Sequence, residues 1–267
     1  MYCVAARESP LPTDHPAVHP AEGLERIEHG PLVALASRVP LAEFGEGALR
    51  RNLNDFEWLE RVARAHEHVL ERALERVTIV PLRLCTIYTD EAGVRRMLEQ
   101  ERNELEAALA RLRGRQEWGV KLLVDRDALE AAARNRSDEL AAEEKEVEAS
   151  SAGGAYMRQR RLERRVREVA DRLMEELAED VHARLQDWAD DAVLNAPQNR
   201  DLSGHQGEMV LNGAYLIEAT KVAGLRELVD RLQERHRALG ANIELTGPWP
   251  PYNFVSPAAS AEGATPR

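Results

Sequence analysis

The chain has 267 residues, of which 43% are hydrophobic and 31% are charged, and its formal net charge is −11 at pH 7. This composition suits a folded protein of two ordinary domains. The negative charge argues against a nucleic-acid partner, because it repels phosphate backbones. No apolar run approaches the roughly 18 residues of a membrane-spanning helix, so we also expect no membrane partner.

The cysteines and the first residues favour a cytoplasmic protein. Cys3 and Cys85 lack a CxxC spacing, and two thiols do not make a disulfide framework. Each lies in an apolar, strand-like run, which is typical of a small buried thiol. The first ten residues lack the basic and then apolar pattern of a secretory signal.

Residues 1–115 alternate between strand and helix patterns and predict an N-terminal α+β domain. Closely spaced prolines between Glu8 and Glu22 indicate a loop, and Pro81 limits its apolar run to two short strands or a broken edge strand. The expected elements are strands Tyr2–Ala6, Leu24–Glu28 and Leu32–Ser37, a helix over Asp55–Arg76, the Thr78–Tyr88 run, and a helix from Asp90 to Gly114.

From Glu117 the order is strand, long helical insert, strand, strand, helix, strand, which is the split βαβ order of a ferredoxin-like domain. We therefore predict a ferredoxin-like domain over residues 116–255 and a disordered tail over Ser256–Arg267. The elements after the first strand are a helix from Asp125 to Val147, a long helix ending near Trp188, strands Ala192–Ala196 and Glu208–Glu218, a helix closed by Gly240, and a strand over Asn242–Thr246.

The long helix raises a packing question. A break at Ser150–Gly154 separates it from the helix before it. At roughly 31 residues it would be about 46 Å long, which exceeds what a small sheet covers. We expect part of it to project or to meet a partner.

The segment Thr246–Phe254 is the most unusual local pattern, since it holds three of the chain's twelve aromatic residues among three prolines. Prolines make the segment stiff, and its aromatic side chains carry large apolar areas that favour docking. The alternative is that the segment folds back and covers the other domain. The candidate partner-binding residues are Pro248, Trp249, Pro250, Pro251, Tyr252 and Phe254.

A second candidate surface is the basic run Arg158–Arg167, which follows an acidic run over Glu143–Glu148. It is either an anion or RNA site or one side of two helical arms whose opposite charges lie beside each other. The adjacency of the two runs favours charge pairing. Arg160, Arg161 and Arg164 complete the predicted partner-binding set.

The histidines do not predict a metal site. His66-Glu67-His68 lacks the two-histidine spacing of HExxH, and His66 fits the apolar stripe of its helix, as His236 fits its own. His15 and His19 in the proline-rich loop lack a third ligand.

No motif points to catalysis or to a cofactor. The chain contains neither GxxxxGK[ST] nor GxSxG, and Gly45-Glu46-Gly47 and Ser203-Gly204-His205 stand alone. We expect a protein that is not an enzyme. The remaining alternative is a small-molecule sensor or enzyme on the ferredoxin-like sheet, which predicts a concave polar pocket with perturbed titratable groups.

Two regions resemble the GvpF/GvpL family of gas vesicle proteins. His66-Glu67, the strand Val80–Tyr88 and the strand Glu117–Lys121 are similar to the family's helix ending in HE, its VLPLRFGT strand and its E-hydrophobic-G-V-K strand. The ending Leu245–Phe254 is similar to the family's LTGPWPPY-F and is the specific part. The chain departs at Leu84-Cys85, where the family usually has Phe-Gly, and the motifs do not separate F-type from L-type.

The resemblance implies two α+β domains, no cofactor and no enzymatic activity. It implies a gas vesicle location and partners among the small hydrophobic shell protein and other accessory proteins. The resemblance therefore implies a minor vesicle component, which we expect to bind the shell protein and to limit its aggregation during nucleation. A chain with 31% charged residues is poorly suited to face dry gas, because unhydrated charges are costly, so its charged surface should stay hydrated or covered.

Overall fold

The computed structural model describes residues 1–149, 152–197 and 207–255, and these form two units. The first is Met1–Gln116 with the described part of Trp249–Arg267, and the second is Glu117–Pro248. The division after Gln116 is one residue from the predicted boundary. The segment from Trp249 was assigned to the second domain and instead belongs to the first unit, because its apolar side chains are buried there. The predicted tail lies outside the described residues.

The first unit contains a four-stranded sheet in the order β2-β3-β1-β4. Neighbouring strands are antiparallel, and Gly30, with a φ of 56°, makes the turn between β2 and β3. The edge strand is only two residues long and contains Pro81. Proline has no amide hydrogen to donate to a neighbouring strand, which agrees with its place at the edge of the sheet. The strands are β1 (Cys3–Ala6), β2 (Leu24–His29), β3 (Leu32–Ser37) and β4 (Val80–Pro81).

Five helices accompany this sheet, and two of them were not predicted. α1 and α2 are short and lie where the sequence shows little periodicity. The predicted helix after Asp90 is divided at Glu101, whose ψ of 11° lies outside the helical range. The helices are α1 (Leu41–Phe44), α2 (Glu46–Asn52), α3 (Phe56–Leu74), α4 (Glu91–Gln100) and α5 (Arg102–Leu112).

The second sheet has the order β6-β7-β5-β8, with β6 and β7 antiparallel. Its core includes Leu122, Tyr215 and Ile217 of the strands and Val181 of a helix. The elements are β5 (Arg115–Val124), α6 (Arg126–Arg136), α7 (Asp138–Glu148), α8 (Ala152–Trp188), β6 (Asp191–Leu194), β7 (Glu208–Glu218), α9 (Val222–His236) and β8 (Ala241–Trp249).

The helical insert differs from the prediction in two places. The first helix divides at Ser137, whose hydroxyl accepts a hydrogen bond from the Leu140 amide and begins α7. Gly153 and Gly154 were expected to break the helical pattern but lie in the first turn of α8. Glycine destabilises a helix chiefly in its interior, through conformational entropy, so these two positions do not prevent the helix from beginning here.

α8 has 37 residues, about 55 Å, and is covered along its length by different elements. Its first half packs against α7, with Leu162 and Val166 beside Leu140. Its second half packs on the sheet core through Leu177 and Leu185. The length in excess of the sheet is therefore covered by α7 on one face, whereas the opposite face of the first half remains exposed.

Cys85 departs from its prediction. The sequence placed it in a strand, but it lies in a turn in which the Thr86 amide donates to the Arg83 carbonyl (3.1 Å). Its φ is 63°, and among the described residues it is the one non-glycine with positive φ. A left-handed conformation costs a side chain about 1–2 kcal/mol, which accounts for a glycine at this position in the resembled motif.

We predict that Cys85→Gly is more stable than Cys85→Ala by about 1 kcal/mol, the reverse of the usual order for these residues. Both variants remove the thiol, so their difference isolates the backbone conformation. Chemical denaturation of the two variants measures it. An alanine variant as stable as the glycine variant would contradict a strained φ at this position.

Candidate functional site

The segment Trp249–Val255, here the C-terminal strap, packs on the first unit. Pro250, Pro251 and Phe254 are buried, and Tyr252 is half-buried. A short 3-10 turn over Tyr252–Phe254 directs both aromatic side chains inward, and the Phe254 carbonyl accepts a hydrogen bond from Arg111 (3.4 Å). The strap therefore completes the core of the first unit.

Tyr252 makes the polar attachment of the strap. Its hydroxyl lies 3.2 Å from Oε1 of Glu67 and 3.4 Å from both the Leu82 carbonyl oxygen and Nε2 of His66. A hydroxyl has one hydrogen, and the carboxylate is the strongest of these acceptors, so Tyr252 donates to Glu67. One side chain thus joins the strap to α3 and to the chain beyond β4. We call this group of four residues the strap anchor.

His66 extends the strap anchor into the core. Its Nε2 donates to the Leu82 carbonyl at 3.0 Å, so in the neutral ring Nδ1 carries no hydrogen. Its ring stacks on Tyr2 with centroids 5.3 Å apart, and the Tyr2 hydroxyl bonds to Ser37 at 2.8 Å. The Val18 amide donates to the same hydroxyl at 2.9 Å, which ties in the proline-rich loop.

Burial sets the charge states of this group. It lowers the pKa of His66 to about 4, so the ring is neutral at pH 7. Burial raises the pKa of Glu67, although the hydrogen bond from Tyr252 opposes this. Burial, with the neighbouring Glu67 charge, raises the pKa of Tyr252, so its hydroxyl keeps the hydrogen that it donates. These perturbed groups bond to one another, and their arrangement is that of a structural joint.

The structure divides the predicted partner-binding residues of the strap region. Pro248 and Trp249 are exposed, Trp249 to 44%. Pro250, Pro251, Tyr252 and Phe254 pack on the first unit. Folding back was the alternative left open by the sequence. The residues that the sequence reasoning missed are Glu67 and Leu82, and the signal for them was their presence in the motifs resembling one family.

The basic run lies on the first half of α8. Arg165 bonds to Glu139 on α7 at 2.8 Å and also to Glu143, which joins the acidic and basic runs as charge pairing requires. Arg160, Arg161 and Arg164 are exposed on the outward face. The Arg160 guanidinium lies over the Tyr156 ring, 5.4 Å from its centroid.

The other histidines make local contacts. The His15 ring meets the His68 ring edge-on, with centroids 4.7 Å apart, and Nε2 of the buried His236 lies 2.9 Å from Asp180. Within residues 1–149, 152–197 and 207–255 there is no group of three His, Cys, Asp or Glu side chains suited to a metal ion. Ser203–His205 lies outside these residues.

A surface depression of about 480 Å³ borders the strap anchor. Arg64, Glu67 and His68 are among its lining residues, and all of these belong to α3. A groove on one helix face does not bring together groups from several elements as small-molecule sites do. This depression therefore gives little support to the sensor or enzyme hypothesis. None of the described helices is long and apolar enough to cross a membrane.

Comparison with known proteins identifies relatives along the whole described chain. The family model for gas vesicle synthesis protein GvpL/GvpF matches residues 1–256. Gas vesicle protein L of Streptomyces sp. (strain CB03234) is 40% identical over 230 residues, covering 86% of this chain and 82% of the relative. Gas vesicle protein L1 of Halobacterium salinarum is 26% identical over 206 residues, covering 75% and 72%.

Two crystal structures have a similar fold. GvpF from Anabaena sp. PCC7120 superposes with a TM-score of 0.70 at 19% identity, covering 96% of each chain. GvpF from Microcystis aeruginosa gives a TM-score of 0.64 at 16% identity, covering 95% of this chain and 96% of that one. At these identities the likeness concerns the mixed helix and sheet fold alone.

Each side chain of the strap should contribute to the free energy of unfolding in proportion to how deeply it is buried. We predict that Phe254→Ala lowers the free energy of unfolding by about 3 kcal/mol and Tyr252→Phe by about 1–2 kcal/mol, since the latter leaves Glu67 without its donor. Trp249→Ala, which removes a larger but partly exposed side chain, should cost less than either. Denaturation, with hydrogen exchange in α3 as the local reporter, tests this order. An equal loss for Trp249→Ala and Phe254→Ala would contradict it.

The buried His66 predicts a pH dependence. Its folded pKa of about 4 lies below the ordinary 6.5, so the unfolded chain binds this proton first as pH falls. Stability from this group is full above pH 6.5 and declines toward pH 4; the raised pKa of Glu67 offsets part of the decline. Between pH 7.5 and 4.5 the wild type should lose about 2 kcal/mol more than His66→Gln, whose amide can still donate to Leu82. Parallel curves for the two proteins would exclude a buried neutral histidine.

Proposed function

The chain belongs to the GvpL/GvpF family of gas vesicle proteins, and we propose that it serves vesicle assembly as a non-catalytic binding protein in the cytoplasm. It binds the small hydrophobic shell protein, limits the aggregation of that protein during nucleation and contacts other accessory proteins. The observation that carries this proposal is the family match over residues 1–256. The strap anchor supports a non-catalytic role, because its perturbed groups are already bonded to one another.

The contact residues that we propose follow from exposure. Pro248 and Trp249 form one contact, held in place by the buried part of the strap, namely Pro250, Pro251, Tyr252 and Phe254. Aromatic side chains of this kind are enriched at protein interfaces. The outward face of α8, with Arg160, Arg161 and Arg164, forms the other.

We also propose that the second unit is a ferredoxin-like domain. Counted along the chain from β5, its strands are adjacent in the order fourth, first, third, second, which is the order of the split βαβ arrangement. The two crossovers contain α6–α8 and α9. The first half of α8, which carries the exposed face, is then an addition to the usual elements of a ferredoxin-like domain.

A shell-retention experiment tests the function. Tagged chain and shell protein are co-expressed, and the shell protein is measured in the soluble bound fraction and in the pellet. We expect the chain to keep shell protein bound, and Trp249→Ala to reduce retention at least about tenfold, as loss of an interface anchor does. The matched control is Phe56→Ala, which removes an aromatic side chain exposed to 77% outside the proposed contact.

Two results would count against the proposal. The assembly role is wrong if a vesicle-producing host that lacks this gene still makes normal vesicles and the tagged chain retains no shell protein. Retention that falls equally in Trp249→Ala and Phe56→Ala would contradict the proposed contact alone.

A further inference from the structure

Gln233 of α9 bonds to the backbone of β8 through both polar groups of its side-chain amide. Its Nε2 donates to the Ala241 carbonyl at 2.7 Å, and its Oε1 accepts from the Ile243 amide at 2.7 Å. These partners fix the orientation of the side-chain amide, because a carbonyl needs a donor and an N–H needs an acceptor. Gln233 therefore offers β8 the donor and the acceptor that one residue of a neighbouring strand would offer.

The bonded groups lie at the outer edge of the second sheet. β8 ends the order β6-β7-β5-β8, so in the described part of the chain no further strand lies on its side away from β5. An amide has one hydrogen, and the Ile243 amide uses it on Gln233 and not on β5. Every second residue of a strand directs its N–H and C=O to the same side. Ala241, Ile243 and Leu245 therefore present their backbone groups at the edge, and Gln233 covers the first part of it.

The chain between α9 and β8 holds Gln233 at this edge. α9 ends at His236, a 3-10 turn follows over Arg237–Leu239, and Gly240, with a φ of 73°, leads directly into β8. Leu232 is buried in the core of the second sheet and anchors the helix beside Gln233. A short connection and an anchored helix thus keep the side-chain amide within reach of the strand.

An open strand edge is a template for pairing with another chain. We propose that Gln233 closes the edge of β8 against strand addition, and that without its amide this edge pairs with the β8 edge of a second copy. Two copies of one strand pair antiparallel about a two-fold axis, because each then offers the other the same groups in reverse order. Gln233 is in this sense an intramolecular substitute for the partner strand.

The side chains of β8 favour one register for this pairing. With Ile243 on the axis, Ile243 pairs with its own counterpart and Ala241 pairs with Leu245, so the backbone groups of the outer edge meet. The exposed Asn242 then lies opposite Glu244 of the second copy. These two side chains already lie 3.4 Å apart within one chain, Nδ2 to Oε1, and suit the same contact between copies. A register centred on Glu244 would instead oppose two carboxylates.

Replacing Gln233 tests whether its amide closes the edge. Gln233→Ala removes the amide and keeps the helix, since alanine is the best helix former. Sedimentation velocity over a range of protein concentrations should give this variant a dimer dissociation constant at least about tenfold lower than that of the control. The control is Gln186→Ala, which makes the same change at an exposed position of α8 and should behave as the wild type.

Two further measurements separate an open edge from a loss of folding. In dilute, monomeric protein, hydrogen exchange of the Ile243 amide should be faster in Gln233→Ala than in the control, because the amide has lost its acceptor. Gln233→Met keeps the size of the side chain and removes only its polar groups, so it should associate as Gln233→Ala does. Circular dichroism shows that each variant is folded.

Two substitutions at Asn242, each combined with Gln233→Ala, test the register. Asn242→Lys places a cation opposite Glu244 of the second copy and should tighten the dimer at low salt. Asn242→Glu places a carboxylate there and should return the protein to monomer. The same two substitutions at Gln186 should leave the dimer unchanged, which separates a contact at the edge from an effect of net charge.

Three results would overturn the proposal. The first is that Gln233→Ala and Gln233→Met associate no more than the control. The second is that exchange of the Ile243 amide is the same with and without the Gln233 amide. The third is a dimer that responds equally to Asn242→Lys and Asn242→Glu. Each measurement uses the purified chain alone, so none of them depends on the proposed binding of shell protein.

Discussion

The hydrogen bond from Tyr252 to Glu67 is the constraint on which the first unit depends. Burial of part of the Glu67 side chain makes a bonding partner for its carboxyl favourable, and Tyr252 supplies the donor across 185 positions of sequence. Because Glu67 and His66 are adjacent on α3, the same hydroxyl meets both, and His66 carries the contact onward to Leu82 and Tyr2. The strap, α3, the chain beyond β4 and Tyr2, which directly precedes β1, are thereby held at one point.

This joint explains what the family resemblance identifies. The HE pair, the PLR strand and the PPY ending are far apart in sequence, yet His66, Glu67, Leu82 and Tyr252 lie within hydrogen-bonding distance. Residues of these motifs that form the strap anchor are therefore explained by what they contribute to folding. The partner surfaces that we propose involve other residues, namely the exposed Trp249 and the outward face of α8. The most recognisable segment of the chain is therefore mainly structural.

Much of the fold could be predicted because it is encoded locally. The apolar stripe of α3, the cap at Asp90 and the glycine turn at Gly30 each act within a few residues. Three other features have no local pattern that encodes them, so they could not be predicted. α1 and α2 are too short to show a period, the break at Glu101 carries no proline or glycine, and the positive φ of Cys85 contradicts its residue type.

The candidate site divides in the same way. Sequence alone identified the strap as stiff and aromatic but left open whether it docks on a partner or on its own chain, since that depends on where Glu67 lies in space. The charge runs were predicted to pair, and Arg165 does pair with α7, because complementary runs on consecutive helices meet over a short loop. The sequence did not show which arginines of the run face outward. The structure shows that Arg160, Arg161 and Arg164 do, whereas Arg165 faces α7.

The energetic coupling between Tyr252 and Glu67 tests the central claim most directly. It is obtained from the unfolding free energies of the wild type, Tyr252→Phe, Glu67→Gln and the double variant. The account predicts that the double variant is more stable than the sum of the single losses implies, by about 1 kcal/mol or more. A coupling energy of zero would mean that the strap is held by apolar packing alone, and that the hydrogen bond does not join it to α3.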